Sequence, residues 1–466
     1  MTYKIAANCR IACGGDFVFE KYIDRKKYKE LKEVDMKSVH ELLNFINNSP
    51  VSFFAIDNVK RELLSNGFQE ISEASAFSLK RGDKCFVERN GSSIIAFVVG
   101  KEIDDNFSFN IIASHSDSPC FKIKENPEMK SAGVVRLNVE KYGGMLMNPW
   151  FDRPLGIAGR VIVSESSGEN ISVSQRLVDF GKNLVMIPSL AIHMNRTANE
   201  GHKIDVQNEM LPLISGNESF NLLDYLSVQT GIAKDSIAGH DLYLYNRDEP
   251  SVWGAEDEFI SAPKLDDLEC VFSTLQGFLN SENSDFAKVF CVYDNEEVGS
   301  GSRQGAGSTF LKDTLRRINC CFDRTEQEYM AAVASSFLVS ADNAHGVHPN
   351  FKSSADPVNQ PVVNGGVVIK YNAAQKYTTD GISGGIFKEI CRKAQVPFQI
   401  FTNNSNVAGG STLGNISTSQ VPFCSVDIGL AQWAMHSPYE SAGAKDVEFL
   451  VKAIETFYSS KICGKL

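Results

Sequence analysis

No Cys-x-x-Cys pair occurs in this sequence of 466 residues, although its 11 cysteines run from Cys9 to Cys463. An odd, scattered set whose closest members are the adjacent Cys320 and Cys321 supports neither a disulfide framework nor a thiolate zinc site. Such thiols act mostly as small buried hydrophobes, and they suit a reducing, cytoplasmic compartment. Also missing is any run of about 20 apolar residues, so no membrane-spanning helix is expected. The stretch from Met1 to Gly15 is poor in apolar side chains, contains Lys4 and Arg10, and shows no secretory leader pattern. A basic excess is absent as well. The 46 Lys and Arg face 57 Asp and Glu, a net charge of −11, which argues against nucleic acid or anionic lipid as a partner. There is no repeat at a fixed period and no low-complexity tract.

What remains is the composition of a folded chain, 43% hydrophobic and 22% charged, long enough for two to four domains. Asp35 is placed to cap a helix carrying Val39, Leu42, Leu43 and Phe45 on one face. Ser49-Pro50 restarts the chain, and a second helix from Phe53 to Leu64 ends at Asn66-Gly67. The basic run Arg25 to Lys32 reads as a solvated face. Strands at Lys84–Glu88 and Ile94–Val99 flank the hairpin signal Asn90-Gly91. Phe107–Ala113 is a further strand that runs into His115. From Phe121 the texture becomes short alternating strands, such as Val134–Val139 and Ala158–Val163, with no long helix until Leu222. After Pro250 the alternation of helix and strand returns. A helix is predicted at Leu265–Leu279, and another at Ile386–Ala394. Strands are predicted at Phe286–Tyr293, Ala331–Ala341, Val367–Tyr371, Phe398–Thr402 and Ser425–Ile428. The expected architecture is one α/β domain, residues 1–120 and 251–466, interrupted by a β-rich insert at 121–250.

Four apolar strands end in charged or imidazole residues: before His115-Ser116-Asp117, before Asp294-Asn295-Glu296-Glu297, before Asp342, and in the stretch from Asp427 to His436. In open α/β sheets such ends form ligand crevices. Imidazole and carboxylate groups gathered there bind zinc, manganese or cobalt without thiolate. Residues two apart on an extended segment share a side, so Asp117 is placed to accept a hydrogen bond from the distal nitrogen of His115 and aim its ring. Of the adjacent Glu296 and Glu297, one can bind a cation while the other holds a water as general base. Asp266 has two oxygens able to bridge metals about 3.5–4 Å apart. Each feature also has a plain structural reading. Glu pairs are common on surfaces, Asp266 can cap a helix, and His436 can be a satisfied buried histidine.

Taken together, the strings His115-Ser116-Asp117-Ser118-Pro119, Leu265-Asp266-Asp267-Leu268, Asp294-Asn295-Glu296-Glu297-Val298-Gly299-Ser300, Ala341-Asp342-Asn343-Ala344-His345-Gly346-Val347-His348-Pro349-Asn350 and Ala434-Met435-His436-Ser437 resemble, in order, the aspartyl aminopeptidase family of metallopeptidases. Weaker matches are Leu190-Ala191-Ile192-His193 and Gly409-Gly410-Ser411-Thr412-Leu413-Gly414. The resemblance runs from about residue 40 to the C-terminus. It implies a mixed-sheet α/β zinc-peptidase domain with an inserted β-rich domain, assembled as a homododecamer. It also implies an exopeptidase that uses two divalent metal ions, zinc, cobalt or manganese, to remove the first residue of peptides. By this resemblance His115 and Asp342 hold one metal, Glu297 and His436 the other, and Asp266 bridges them. Glu296 is then the general base and Asp117 orients His115. His345 is a candidate donor to the oxyanion, and His193 reaches a neighbouring subunit's site. Gly410 belongs to a substrate loop, and Lys370 sits where a lysine would meet an acidic first residue. Asn406 replaces an expected aspartate, and Ala408 stands where bacterial relatives often have arginine. Both departures leave the choice between acidic and neutral first residues open. A related amidase or deacylase, or a non-catalytic assembling protein, are the competing readings. Residues Met1 to Asp35 are expected to be an arm, a swapped segment or disorder.

Overall fold

The computed structural model describes residues 36–104, 107–282 and 285–462. The Asp35 cap, the Arg25 to Lys32 run and the expectation for Met1 to Asp35 lie outside these residues. The first helix is Met36–Asn47, with Val39, Leu42, Leu43, Phe45 and Ile46 buried on the side the spacing predicts. The second is Ser52–Ser65, closed by Asn66.

Three sheets organise the chain. The largest has nine strands in the order Gln69–Glu70, Lys84–Arg89, Ser93–Val98, Ala287–Tyr293, Phe109–His115, Phe337–Ala341, Cys424–Gly429, Val367–Tyr371 and Phe398–Thr402. Its four middle strands, from Ala287–Tyr293 to Cys424–Gly429, are mutually parallel. Ser93–Val98 and Val367–Tyr371 run antiparallel to that block on either side, so the sheet is mixed. Phe109–His115 and Ala287–Tyr293 are buried at every position, as central strands covered on both faces must be. One face is covered by helices Met36–Asn47, Leu265–Asn280, Gly381–Ala394 and Ala444–Tyr458, through side chains such as Leu42, Leu268, Phe387 and Leu450. The other face carries Phe310–Cys320 and Glu326–Ala334, through Phe310, Leu315 and Tyr329.

The strand expected at Ala331–Ala341 is corrected: Glu326–Ala334 is helical and the strand is only Phe337–Ala341. Thr325 accepts the Glu328 N–H while Glu328 reaches back to the Thr325 N–H, and this capping box nucleates the helix.

A second sheet is antiparallel and has six strands, in the order Val173–Asp179, Leu155–Ser164, Ile237–Asn246, Cys120–Ser131, Val134–Tyr142 and Leu213–Ser215. It has its own apolar cluster, including Phe121, Leu137, Ile157 and Leu242, topped by Leu226 of the helix Leu222–Thr230. Arg160 seats this sheet on the first one. Its Nε donates to Asp241 at 2.9 Å, its Nη1 donates to the Asn90 carbonyl at 2.6 Å, and its guanidinium lies 4.4 Å from the Phe53 ring. A third sheet of five short strands, Ser251–Trp253, Phe259–Ala262, Glu440–Gly443, Ala431–Trp433 and Ala344–His345, lies between the segments that carry Asp342 and His436. No helix among the described residues is long and apolar enough to cross a membrane.

Candidate metal centre

The parallel block places its carboxyl ends in line. Tyr293 pairs with His115, and Ala341 with Ile428. The residues that follow each strand therefore emerge at one edge, where the polypeptide has left the ladder and its side chains are free to converge. Asn295 at φ 64° and His436 at φ 66° turn the chain sharply there. Non-glycine residues enter this left-handed region rarely, and such conformations gather where a site demands a particular aim.

Two donor groups result: His115, Asp266, Asp267 and Asp342, and Asp266, Glu297 and His436. Within each group the ligand atoms lie within 4.8 Å of one another. Asp266 belongs to both. Its Oδ1 is 3.3 Å from His115 Nε2 and its Oδ2 is 3.6 Å from His436 Nε2, while His436 Nε2 is 3.3 Å from Glu297 Oε2. Asp266 Oδ1, Asp267 Oδ1 and Glu297 Oε1 are buried without a hydrogen-bond partner among the described residues. A buried carboxylate oxygen with no partner is costly once ionised, so such a group keeps its proton unless a cation or a donor faces it. Divalent cations satisfy such oxygens, and this imidazole–carboxylate set suits zinc, manganese or cobalt.

The surrounding hydrogen bonds run mainly to backbone. Asp117 accepts the Glu296 N–H on Oδ1 and the Glu297 N–H on Oδ2, both at 3.1 Å. Glu440 accepts the N–H of His436 at 2.7 Å and of Asp266 at 3.0 Å. Asp267 accepts the His115 N–H at 3.2 Å. Asn343 donates to Leu265 O and to Glu269. The bond expected between His115 and the Asp117 carboxylate is displaced. His115 Nδ1 is 3.1 Å from the Asp117 main-chain carbonyl and 3.6 Å from Oδ1, because the carboxylate is taken up by the glutamate N–H groups.

Crowding of acids shapes the charge states. Burial lifts Glu296 to about 8, with Asp342, Asp117 and Asp266 adding to the shift. Burial also lifts Glu440 to about 8 and Asp294 to about 7, and pushes Glu297 well above the usual range. Burial opposes charge on Asp266 too, yet His115 and His436 hold its carboxyl well below the ordinary range. Both histidines are raised, because the carboxylates around them outweigh their burial.

The remaining candidates lie outside the two groups. The Glu296 side chain has no hydrogen-bond or ion-pair partner among the described residues, although its burial is substantial. His345, exposed at its strand end, packs edge-on to Phe401, 6.0 Å between ring centroids, and desolvation by the groups around the ring, followed by Lys370, lowers its pKa. Lys370 is buried and donates to the carbonyls of Asp342 at 2.7 Å and Asn343 at 3.4 Å. Gly410, Asn406 and Ala408 lie on an exposed loop after the strand Phe398–Thr402. His193 is exposed on a turn beside Leu190, Ile192 and Met194, which are exposed as well. Sequence reasoning missed Asp267, Glu440, Asn343 and Tyr142. Adjacency to Asp266, His436 and Asp342 was a usable signal for the first three, but Tyr142 comes from the inserted sheet and had none.

The family model described as "Aminopeptidase I zinc metalloprotease (M18)" matches residues 45–458. A "Probable M18 family aminopeptidase 2" of Clostridium acetobutylicum is 42% identical over 431 residues, covering 91% of this chain and 99% of the relative. Among solved structures, "Cryo-EM structure of the Ape4 and Nbr1 complex" is similar with a TM-score of 0.86 at 35% identity, covering 91% of this chain and 86% of that one. The S. cerevisiae mApe1 dodecamer is similar with a TM-score of 0.79 at 26% identity, covering 92% and 97%.

The raised acids set a pH dependence. Each keeps its proton to a higher pH in the folded chain than in the unfolded one. The folded state therefore binds more protons between about pH 4.5 and 8, and stability falls as pH rises through that window. The raised histidines act in the same direction. The denaturation midpoint of metal-free protein is expected to drop from pH 5 to pH 8, with added divalent metal recovering most at the upper end. A midpoint that stays flat or rises contradicts this account of the site.

Proposed function

Since the chain belongs to the M18 family and is a metal-dependent aminopeptidase, we propose that it removes the first residue of peptides at a centre of two divalent cations, with Glu296 as general base. The observation that carries this reading is the placement of Asp266, one oxygen toward each histidine, within two groups of buried donors. His115 and Asp342 hold one cation, Glu297 and His436 the other, and Asp266 is shared. When bound, the cations supply Lewis acidity, lowering the pKa of a water and polarising the scissile carbonyl.

The chain's own groups do the rest. Glu296 has a carboxyl without a protein partner beside the donors. Burial and neighbouring acids raise its pKa; with cations bound to offset those acids, it is ionised and takes the proton of the attacking water. It then delivers that proton to the nitrogen of the departing peptide. Its position is set through the main chain by Asp117. Neutral His345, whose pKa is lowered, donates to the oxygen that gains charge at the former carbonyl. In chelator, hydrolysis of aminoacyl-anilides is lost, and zinc, cobalt or manganese restores it. Glu296→Gln is expected to lower kcat about 10²–10⁴-fold with the metal content intact. Near-full activity in that variant removes Glu296 from the role.

Neutral first residues are favoured over acidic ones. A substrate carboxylate needs a cation once desolvated, but Lys370 already gives its ammonium to two main-chain carbonyls. Asn406 and Ala408 add no charge to the loop beyond. Leucyl- and alanyl-anilides should show a higher kcat/KM than aspartyl- and glutamyl-anilides. The reverse order overturns this preference, and turnover of N-acylated amino acids alone would instead favour a deacylase.

Self-association as a dodecamer, as in S. cerevisiae mApe1, is part of the reading. The exposed Leu190, Ile192 and Met194 around His193 support it, because apolar side chains clustered on a turn gain from being covered. Through that turn His193 enters a neighbouring copy's site. Light scattering should report twelve chains, and Met194→Asp should lower both mass and activity. A fully active single chain sinks this part.

A further inference from the structure

One side chain of the inserted sheet reaches the carboxylate of Asp117 at the catalytic edge. The sheet's strand Val134–Tyr142 ends at Tyr142, whose hydroxyl donates to Asp117 Oδ2 at 2.6 Å and accepts from Asn295 Nδ2 at 2.9 Å. Asn295 is held in turn: Ser302 Oγ and Gln304 Nε2 donate to its Oδ1 at 2.6 and 2.7 Å. The hydroxyl thus ends on the carboxylate that accepts the N–H of both Glu296 and Glu297.

The backbone beyond Tyr142 keeps close to the site. Gly143, at φ +75°, lies where an added Cβ would be 3.1 Å from Glu297 Cβ, so glycine allows both the turn and the approach. Three residues later the Leu146 N–H donates to the His436 carbonyl at 3.0 Å. The Tyr142 ring is steadied by Tyr243, with 6.0 Å between centroids at 80°.

We propose that Tyr142 is a positioning residue for Glu296 and Glu297, acting through Asp117, so that the inserted sheet completes the catalytic edge of its own chain. Without the hydroxyl, Asp117 Oδ2 keeps only the Glu297 N–H. The carboxylate is then free to turn toward His115 Nδ1, now 3.6 Å from Oδ1, and the turn bearing both glutamates loosens. The assignment rests on the reading of Glu296 as general base.

The test compares Tyr142→Phe, Asn295→Ala, the double variant, Tyr243→Phe and Glu296→Gln in the assembled protein at saturating zinc. Tyr142→Phe is expected to lower kcat about 10–100-fold with KM unchanged and the thermal midpoint lowered by only a few degrees. Asn295→Ala acts in the same direction, and the double variant falls no further than the worse single one, since both sit on one chain of hydrogen bonds. Tyr243→Phe, which removes a hydroxyl from the neighbouring ring, keeps its kcat. Full kcat in Tyr142→Phe overturns the assignment. So does an equal fall in Tyr243→Phe, or effects that multiply in the double variant. If Tyr142→Phe does not fold, an unchanged kcat in Asn295→Ala overturns it. Full activity of Glu296→Gln removes the base reading itself, whereas inactive Glu296→Gln beside fully active Tyr142→Phe removes only the role of Tyr142.

Discussion

Like charges packed out of water govern this molecule. Asp117, Asp266, Asp267, Asp342 and Glu440 are all buried at one sheet edge, with Asp294, Glu296 and Glu297 beside them. Among the described residues, the positive charge close by comes from two histidines, from Lys370 and, beside Glu440, from Lys264. The Coulomb cost of such a cluster is large at low effective dielectric. It is met in part by protonation, which is why so many of the acids are displaced upward. Divalent cations held by these groups would offset it further.

The acids outside the two donor groups are used in a particular way. Asp117 and Glu440 each accept two main-chain N–H groups, from Glu296 and Glu297 and from Asp266 and His436. Holding a backbone restricts a whole turn, whereas holding a side chain restricts one rotamer. Asn295 and His436, both in the left-handed region, would relax without such anchoring. The supporting carboxylates thus convert charge that must be buried anyway into a fixed aim for the donor side chains.

The inserted sheet shares in this arrangement. Arg160 seats it on the Asn90-Gly91 turn, and the next residues of that hairpin, Ser92 and Ser93, bond Ser116 Oγ and the Asp294 N–H. The same inserted segment carries the exposed turn with Ile192, His193 and Met194. One element therefore both reaches the acidic sheet edge at Tyr142 and carries an exposed apolar turn.

Local patterns in the sequence were sufficient for the helices Met36–Asn47, Ser52–Ser65 and Leu265–Asn280, for the Asn90-Gly91 hairpin and for the central strands, because periodic burial and turn chemistry are properties of a few neighbouring residues; the helices Phe310–Cys320 and Ala444–Tyr458 were not read from them. They failed at Ala331–Ala334, where alanines compatible with either state follow a capping box that selects helix. The motif strings were enough to nominate His115, Asp266, Glu296, Glu297, Asp342 and His436. What no local pattern carries is which distant groups compete for one atom. The capture of the Asp117 carboxylate by the Glu296 and Glu297 N–H groups, which leaves His115 on its carbonyl, the engagement of Lys370 with main-chain oxygens, and the approach of Tyr142 all arise from segments 25 or more residues apart meeting in space. Residue types and their order determined that a metal-dependent hydrolase site was present. Only packing decided how its donors were aimed, since hydrogen bonds and charge compensation depend on distances that the sheet register and the seating of the insert set.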